Sequence, residues 1–227
     1  MKEKDPSAFI KSLPSFFADE FHKLQDSLMD AEVSGKGGRV LMFTSSQSQE
    51  GVTSIVLGFG LFLARADGPD RVLAVEANVR NPSWLETLDL KQQDGLQAVM
   101  EEKVQAEAAI LMLHDLGISV LPADRSTGSS DMLSSESYRR KLKNLFTELK
   151  LRYQFVLVEA PPTLPFVDAR VISAFCDAVI VVLEANRTRA EQINDALNGL
   201  KAAGANVLGI ILNKRDFHIP DYVYRFL

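Results

Sequence analysis

The sequence predicts an α/β fold, a parallel β-sheet with helices on both faces in three α/β/α layers. Six short and nearly continuous apolar runs, rich in β-branched residues, fall at 40–43, 71–75, 118–121, 155–158, 178–183 and 207–212. Unbroken apolar runs of this length mark strands covered on both faces. Helical segments at 53–65, 95–102, 134–151, 164–175 and 189–203 lie between them, and that alternation requires right-handed crossovers within one parallel sheet. Such sheets bind ligands beyond the carboxyl ends of their strands, so the residues after each strand carry most of the functional information.

Composition supports one substantial core. Of 227 residues 46% are hydrophobic and 24% charged, which leaves no room for bulk disorder. A net charge of −5 gives no overall basic footprint, so no nucleic-acid partner is expected. Cys176 is the only cysteine and cannot form an internal disulfide, and His22, His114 and His218 are scattered without zinc-ligand spacing, which fits a reducing cytosol. The first six residues are too polar to begin a secretory signal, and no apolar run approaches the ~20 residues needed to span a bilayer. A cytoplasmic protein is expected, without direct membrane insertion, reaching a membrane only through a partner.

In chain order, residues 1–36 read as an extension. Phe17, Phe21, Leu24 and Leu28 form one stripe of an amphipathic helix, which suits either a helix folded back on its own core or one that meets a partner. A joint at 34–38 leads into the main domain, 37–216, and residues 217–227 form a tail. The Gly-Lys-Gly-Gly of the joint precedes the first strand rather than following it, so it reads as a linker. Residues 123–130 form a second polar loop.

The first strand is followed by Thr44-Ser45-Ser46-Gln47-Ser48-Gln49-Glu50-Gly51-Val52-Thr53-Ser54, which opens a helix. This is a phosphate-binding loop in outline, and the domain is expected to be P-loop NTPase-like. Backbone N–H groups and the helix dipole favour an anion there, Gly51 allows close backbone approach, and the Thr53 hydroxyl suits Mg²⁺. Val52 stands where the phosphate-gripping lysine belongs and cannot offset charge.

After the second strand, Glu76 keeps an acidic group, Asn78 is neutral and cannot act as a base, and Arg80 is a strong cation ahead of Pro82. Arg80 reads equally as a phosphate partner compensating for Val52 or as a surface arginine in a turn. After the fourth main strand comes Glu159, where a carboxylate steadies Mg²⁺ in P-loop proteins. Glutamate in place of aspartate pushes that carboxylate one methylene outward, and a misplacement near ~1 Å can cost ~100-fold in rate. Asp168 is a further acidic candidate, although an aspartate in a helix turn is more often solvated. After the last strand, Asn213 is placed to meet a nucleotide base, and Asn213-Lys214-Arg215-Asp216 has the spacing of a guanine-reading motif, one that short sequences match easily by chance.

Together these strand ends resemble the bacterial tyrosine kinases of capsule and exopolysaccharide synthesis, relatives of the septum-site and chromosome-partitioning ATPases. That family reads Thr-Ser-x-x-Pro-Gly-Glu-Gly-Lys-(Ser/Thr)-Thr at the loop, Asp-x-Asp-x-Arg-x-Pro after the second strand and Asp-(Thr)-Pro-Pro at the third motif. The resemblance is carried by Thr44, Ser45, Glu50, Gly51, Thr53, Arg80, Pro82, Pro161, Pro162, Asp168 and Asn213. The departures fall on chemical positions: Ser48 and Gln49 replace Pro and Gly, Val52 replaces the lysine, and Glu76, Asn78 and Glu159 replace aspartates.

The resemblance implies a site in which Glu50, Gly51, Thr53, Ser54, Arg80 and Asn213 face an ATP or ADP, with Thr53 and Glu159 toward Mg²⁺ if the metal is held at all. Catalysis is not expected, because Val52, Glu76, Asn78 and Glu159 are all altered. The family's ring-forming Glu-x-x-Arg-x-x-Arg helix is represented by Glu20, Lys23 and Asp26, which lacks the second cation, and the phosphorylated tyrosine cluster is reduced to Tyr222 and Tyr224. The implied function is regulation or assembly of polysaccharide synthesis and export through a membrane-bound chain-length or export protein, at the inner membrane's edge, with homo-oligomers as a further partner class. An active but atypical ATPase or autokinase and a positioning ATPase of the chromosome-partitioning type are the alternatives.

Overall fold

The computed structural model describes residues 17–30, 37–91, 94–124 and 135–215. Most of the 34–38 joint, the 123–130 loop beyond Asp124, Asp216 and the tail with Tyr222 and Tyr224 lie outside the described residues. The described order is α1 (Ala18–Asp30), β1 (Arg39–Ser45), α2 (Val52–Asp67), β2 (Val72–Glu76), α3 (Trp84–Thr87), α4 (Leu96–Met100), α5 (Ala106–Ala109), β3 (Leu111–Leu113), β4 (Ile118–Leu121), α6 (Glu136–Arg152), β5 (Phe155–Glu159), α7 (Asp168–Ser173), β6 (Ala178–Glu184), α8 (Ala190–Ala202) and β7 (Val207–Asn213).

The seven strands pair in the order β3-β4-β2-β5-β1-β6-β7. Every pairing is parallel except β3 with β4, so the expected fold class holds, with an antiparallel edge added. Strands β1, β2, β4, β5 and β6 are buried along almost their whole length. Their side chains alternate between two apolar clusters, one on each face of the sheet.

Helix α2 is apolar nearly all round and is buried from Val52 to Ala64 apart from its first turn, as a helix beneath other elements must be. Its close seat needs Gly60, where a Cβ would lie 2.6 Å from Ile118 Cδ1. On the same face, α1 lays its predicted stripe on the core: Phe21 is 3% exposed, and its ring lies 5.5 Å and 5.7 Å from those of Phe59 and Phe62. On the opposite face α6 buries Leu142, Leu145, Phe146 and Leu149 at the i, i+3, i+4 and i+7 positions of one stripe.

One helix start and the burial of one strand differ most from expectation. The segment expected to be helical from 164 begins only at Asp168, because Pro165 disfavours helical backbone at the residue before it. Edge strand β7 leaves Ile210 and Leu212 exposed.

Candidate functional site

The carboxyl ends of β1, β2, β5, β6 and β7 bring most of the expected residues to one end of the sheet. The loop after β1 turns into α2 through Gly51, whose φ of 93° and ψ of 26° lie in the left-handed region that glycine adopts without strain. A Cβ on Gly51 would lie 2.1 Å from Asn213 Nδ2. That amide donates 2.9 Å to the carbonyl of Glu50, so Asn213 supports the loop backbone instead of standing free at a base position.

Glu50 was expected at the cofactor, but its side chain turns inward. Only 2% exposed, it accepts hydrogen bonds from Ser46 Oγ at 3.0 Å, from the Gln47 amide at 2.9 Å and from the Thr188 hydroxyl. These tie the loop to the segment after β6. Lys214 completes the tie, its ammonium donating 2.7 Å to the Gln49 carbonyl and 3.0 Å to Glu184. Hydrogen bonds from Lys214 and Arg187 hold the Glu184 carboxyl below the usual carboxylate range. Val52 is 8% exposed and packs within the apolar cluster beneath α1 and α2. Ser54 is partly exposed in the first turn of α2.

The two glutamates after β2 and β5 are opposite one another. Glu76 and Glu159 are register partners on adjacent parallel strands and are 0% and 3% exposed. Glu76 Oε1 accepts from the backbone amides of Ser83 at 2.6 Å and Trp84 at 3.1 Å, and Oε2 from that of Ala123 at 3.0 Å. It therefore ties the start of α3 and the end of β4 to the sheet. Glu159 Oε1 accepts from Thr53 Oγ1 at 2.8 Å and Oε2 from the Trp84 indole N–H at 2.6 Å. Burial pushes both carboxyls up to about 7, and the charge of Glu159 adds to the rise at Glu76; the hydrogen-bond donors pull the other way without cancelling it.

Arg80 and Asp168, read separately in the sequence, form a pair. The guanidinium engages Asp168 through Nε and through Nη2, the latter at 3.1 Å, and its Cζ sits 4.5 Å from the Phe166 ring centroid. Asp168 is 3% exposed, so the expectation of a solvated aspartate is corrected: the paired guanidinium makes its burial tolerable. Asn78 Oδ1 is buried with no hydrogen-bond partner.

Trp84 is the hub that sequence reading missed. Its signal was present: it is the only tryptophan, two residues beyond Pro82 in the motif after β2. A cavity of about 350 Å³ opens beside this site, lined by Glu184, Ala185, Thr188, Ile193, Leu212 and Arg215. Among the described residues no group of three or more His, Cys, Asp or Glu side chains is arranged to hold a metal ion, and no helix is long and apolar enough to cross a membrane.

No protein-family model matches the chain. Individual relatives do. Over 208 residues it is 26% identical to the succinoglycan biosynthesis transport protein ExoP of Rhizobium meliloti, covering 90% of this chain but only 26% of that protein. It is 24% identical over 200 residues to the putative tyrosine-protein kinase CapB of Staphylococcus aureus, covering 88% of this chain and 85% of that one.

Among solved structures, the chimerical protein CapA2B2 superposes with a TM-score of 0.76 at 22% identity, over 87% of this chain and 84% of that chain. The kinase domain of the Escherichia coli tyrosine kinase ETK gives 0.74 at 23%, over 86% and 74%. The septum site-determining protein MinD of Pyrococcus horikoshii, solved with Mg-ADP, gives 0.62 at 22%, over 84% and 77%. At these identities the structural likeness is one of fold, and the sequence matches carry the kinship. The chain is thus a homologue of the bacterial tyrosine-protein kinases of capsule and exopolysaccharide biosynthesis, on the P-loop α/β fold that MinD also has.

Proposed function

We propose that this chain is a catalytically degenerate member of that kinase group, a regulatory or assembly component of exopolysaccharide or capsule synthesis and export that works by binding partners. One observation carries the reading: Glu76 and Glu159, the carboxylates at the base and metal positions, are committed to internal hydrogen bonds, and Val52 replaces the loop cation with a core side chain. Phosphoryl transfer is positioning plus charge stabilisation, and here the charges are absent or engaged. Asn78 is neutral where the family has an aspartate and cannot act as a base.

The partner class follows from the relatives. ExoP is named as a transport protein and is far longer than the part this chain matches, which supports a membrane-bound chain-length or export protein as the partner. A two-hybrid assay against the polysaccharide chain-length protein of the same organism tests this. With Mg-ATP the purified chain is expected to show neither hydrolysis nor autophosphorylation. Turnover that disappears in Thr53→Ala would overturn the reading.

The rival, an atypical Mg-ATP enzyme, is favoured by two features: the ammonium of Lys214 lies on the loop carbonyl of Gln49, and the cavity beside it has a size that suits a small ligand. Cations supplied from elsewhere in a site can contribute ~10³–10⁵ in rate. Absence of any thermal shift with millimolar Mg-ATP would remove this rival.

A further inference from the structure

The fold implies a Mg²⁺ position at Thr53 and Glu159, and the residues present do not fit one. Each Glu159 oxygen already has a donor, Thr53 Oγ1 at 2.8 Å on one side and Trp84 Nε1 at 2.6 Å on the other. A threonine hydroxyl can bond a carboxylate and still offer a lone pair to a metal; an indole N–H has no lone pair to offer. Mg²⁺ demands near-octahedral oxygens at about 2.1 Å and keeps several waters. The space in front of Glu159 Oε2 is instead filled by a side chain that is 0% exposed.

Trp84 is also fixed from behind, since its backbone amide donates 3.1 Å to Glu76, the carboxylate paired with Glu159 across β2 and β5. The tryptophan therefore joins both strand-end glutamates, with its ring held where ion and water would stand. We propose that Trp84 is a built-in plug of the former metal position, so that the indole itself keeps divalent cations out. The inference rests on reading Thr53 and Glu159 as that position; it does not depend on the partner or the pathway.

The test uses the full chain with Mn²⁺ as the paramagnetic probe. Trp84 is the sole tryptophan, so the wild type gives one indole N–H resonance. It is expected to stay sharp in millimolar Mn²⁺, with no bound ion detected by electron paramagnetic resonance. Trp84→Phe and Trp84→Leu are expected to gain Mn²⁺ affinity by about 10- to 100-fold, the range by which groups around metal ligands tune affinity, and Glu159→Gln added to either should abolish the gain.

Folded Trp84 variants, checked by circular dichroism, that bind no more Mn²⁺ than the wild type overturn the plug and leave the proposed function standing. Metal gained without ATP turnover supports both. Should neither variant fold, the wild type decides: an indole resonance broadened away by Mn²⁺ while the fold persists overturns the plug, and one that stays sharp up to millimolar Mn²⁺ supports it.

Discussion

Raising the pH through neutrality should destabilise this protein, and the reason is the pair Glu76 and Glu159. Both are buried, at 0% and 3% exposure, and they are opposite one another on paired strands. In the unfolded chain each titrates near its ordinary value of 4.5, whereas burial raises each to about 7 in the fold. Below 4.5 both states hold the protons and folding carries no penalty from them. Between 4.5 and about 7 the unfolded chain releases protons that the folded chain keeps, so stability falls with rising pH. Above that window both states are ionised and the loss is complete.

At about 1.4 kcal/mol per pH unit for each proton, a rise from 4.5 to about 7 corresponds to ~3 kcal/mol per carboxylate. The two titrate as a unit, so the total lies between one and two such contributions, a large share of a typical domain's stability. Urea unfolding at a series of pH values measures it directly. Glu159→Gln is the informative variant. Its carbonyl can still accept from the Trp84 indole, and its NH₂ can donate to Thr53 once that hydroxyl rotates, so a charge is lost without stranding a donor. The variant should remove at least half of the slope. A stability that is flat or rising across the window, or a slope that Glu159→Gln leaves unchanged, would refute the reasoning.

Asp168→Ala should cost about 1.5–3 kcal/mol in urea unfolding, because it removes a 3%-exposed carboxylate that the Arg80 guanidinium engages through two nitrogens, and a loss below ~1 kcal/mol would show that the pair is a surface bridge. Gly51→Ala should lower the melting temperature through a left-handed backbone cost of about 1–2 kcal/mol and through collision with Asn213; adding Asn213→Ala should recover the collision part only. Ile210→Lys on the open edge strand should change stability by no more than ~0.5 kcal/mol, since the residue is 46% exposed, and should reduce self-association in light scattering.

The fold was legible because its signals are local. Residues 155–158 read as a strand from four consecutive residues, and Phe17, Phe21, Leu24 and Leu28 as a stripe from their spacing alone. Strand β3 was not, since three half-buried residues make too short a run to distinguish from a loop, and the four-residue α3 is too short to show a helical period. At the site, motif spacing told which residues reach the strand ends but not what they touch there. Asp168 illustrates the gap: its partner Arg80 lies 88 residues away in sequence. Trp84, likewise, meets Glu159 across 75 residues. Such contacts depend on the strand order β2-β5-β1, which no local pattern contains.

The altered positions are not independent losses, because each replacement satisfies a structural need created by its neighbours. A carboxylate one methylene longer than aspartate reaches from β2 to the amides of Ser83, Trp84 and Ala123, and from β5 to the Trp84 indole. Hydrogen bonds contribute about 0.5–1.5 kcal/mol each to a neutral carboxyl and about 1.5–3 kcal/mol to an ionised one, and they help make two facing buried glutamates tolerable on adjacent strands. Val52 contributes in the same sense, by joining the apolar cluster on that face of the sheet, where a lysine would have to be turned out toward the loop. The groups that a metal or an attacking hydroxyl would need are therefore those that the folded state uses to hold α2, α3 and the β-sheet together. Returning a single lysine at Val52 supplies charge but frees no carboxylate oxygen. Restoring chemistry at this site requires the Trp84, Glu76 and Glu159 contacts to be rebuilt as one unit.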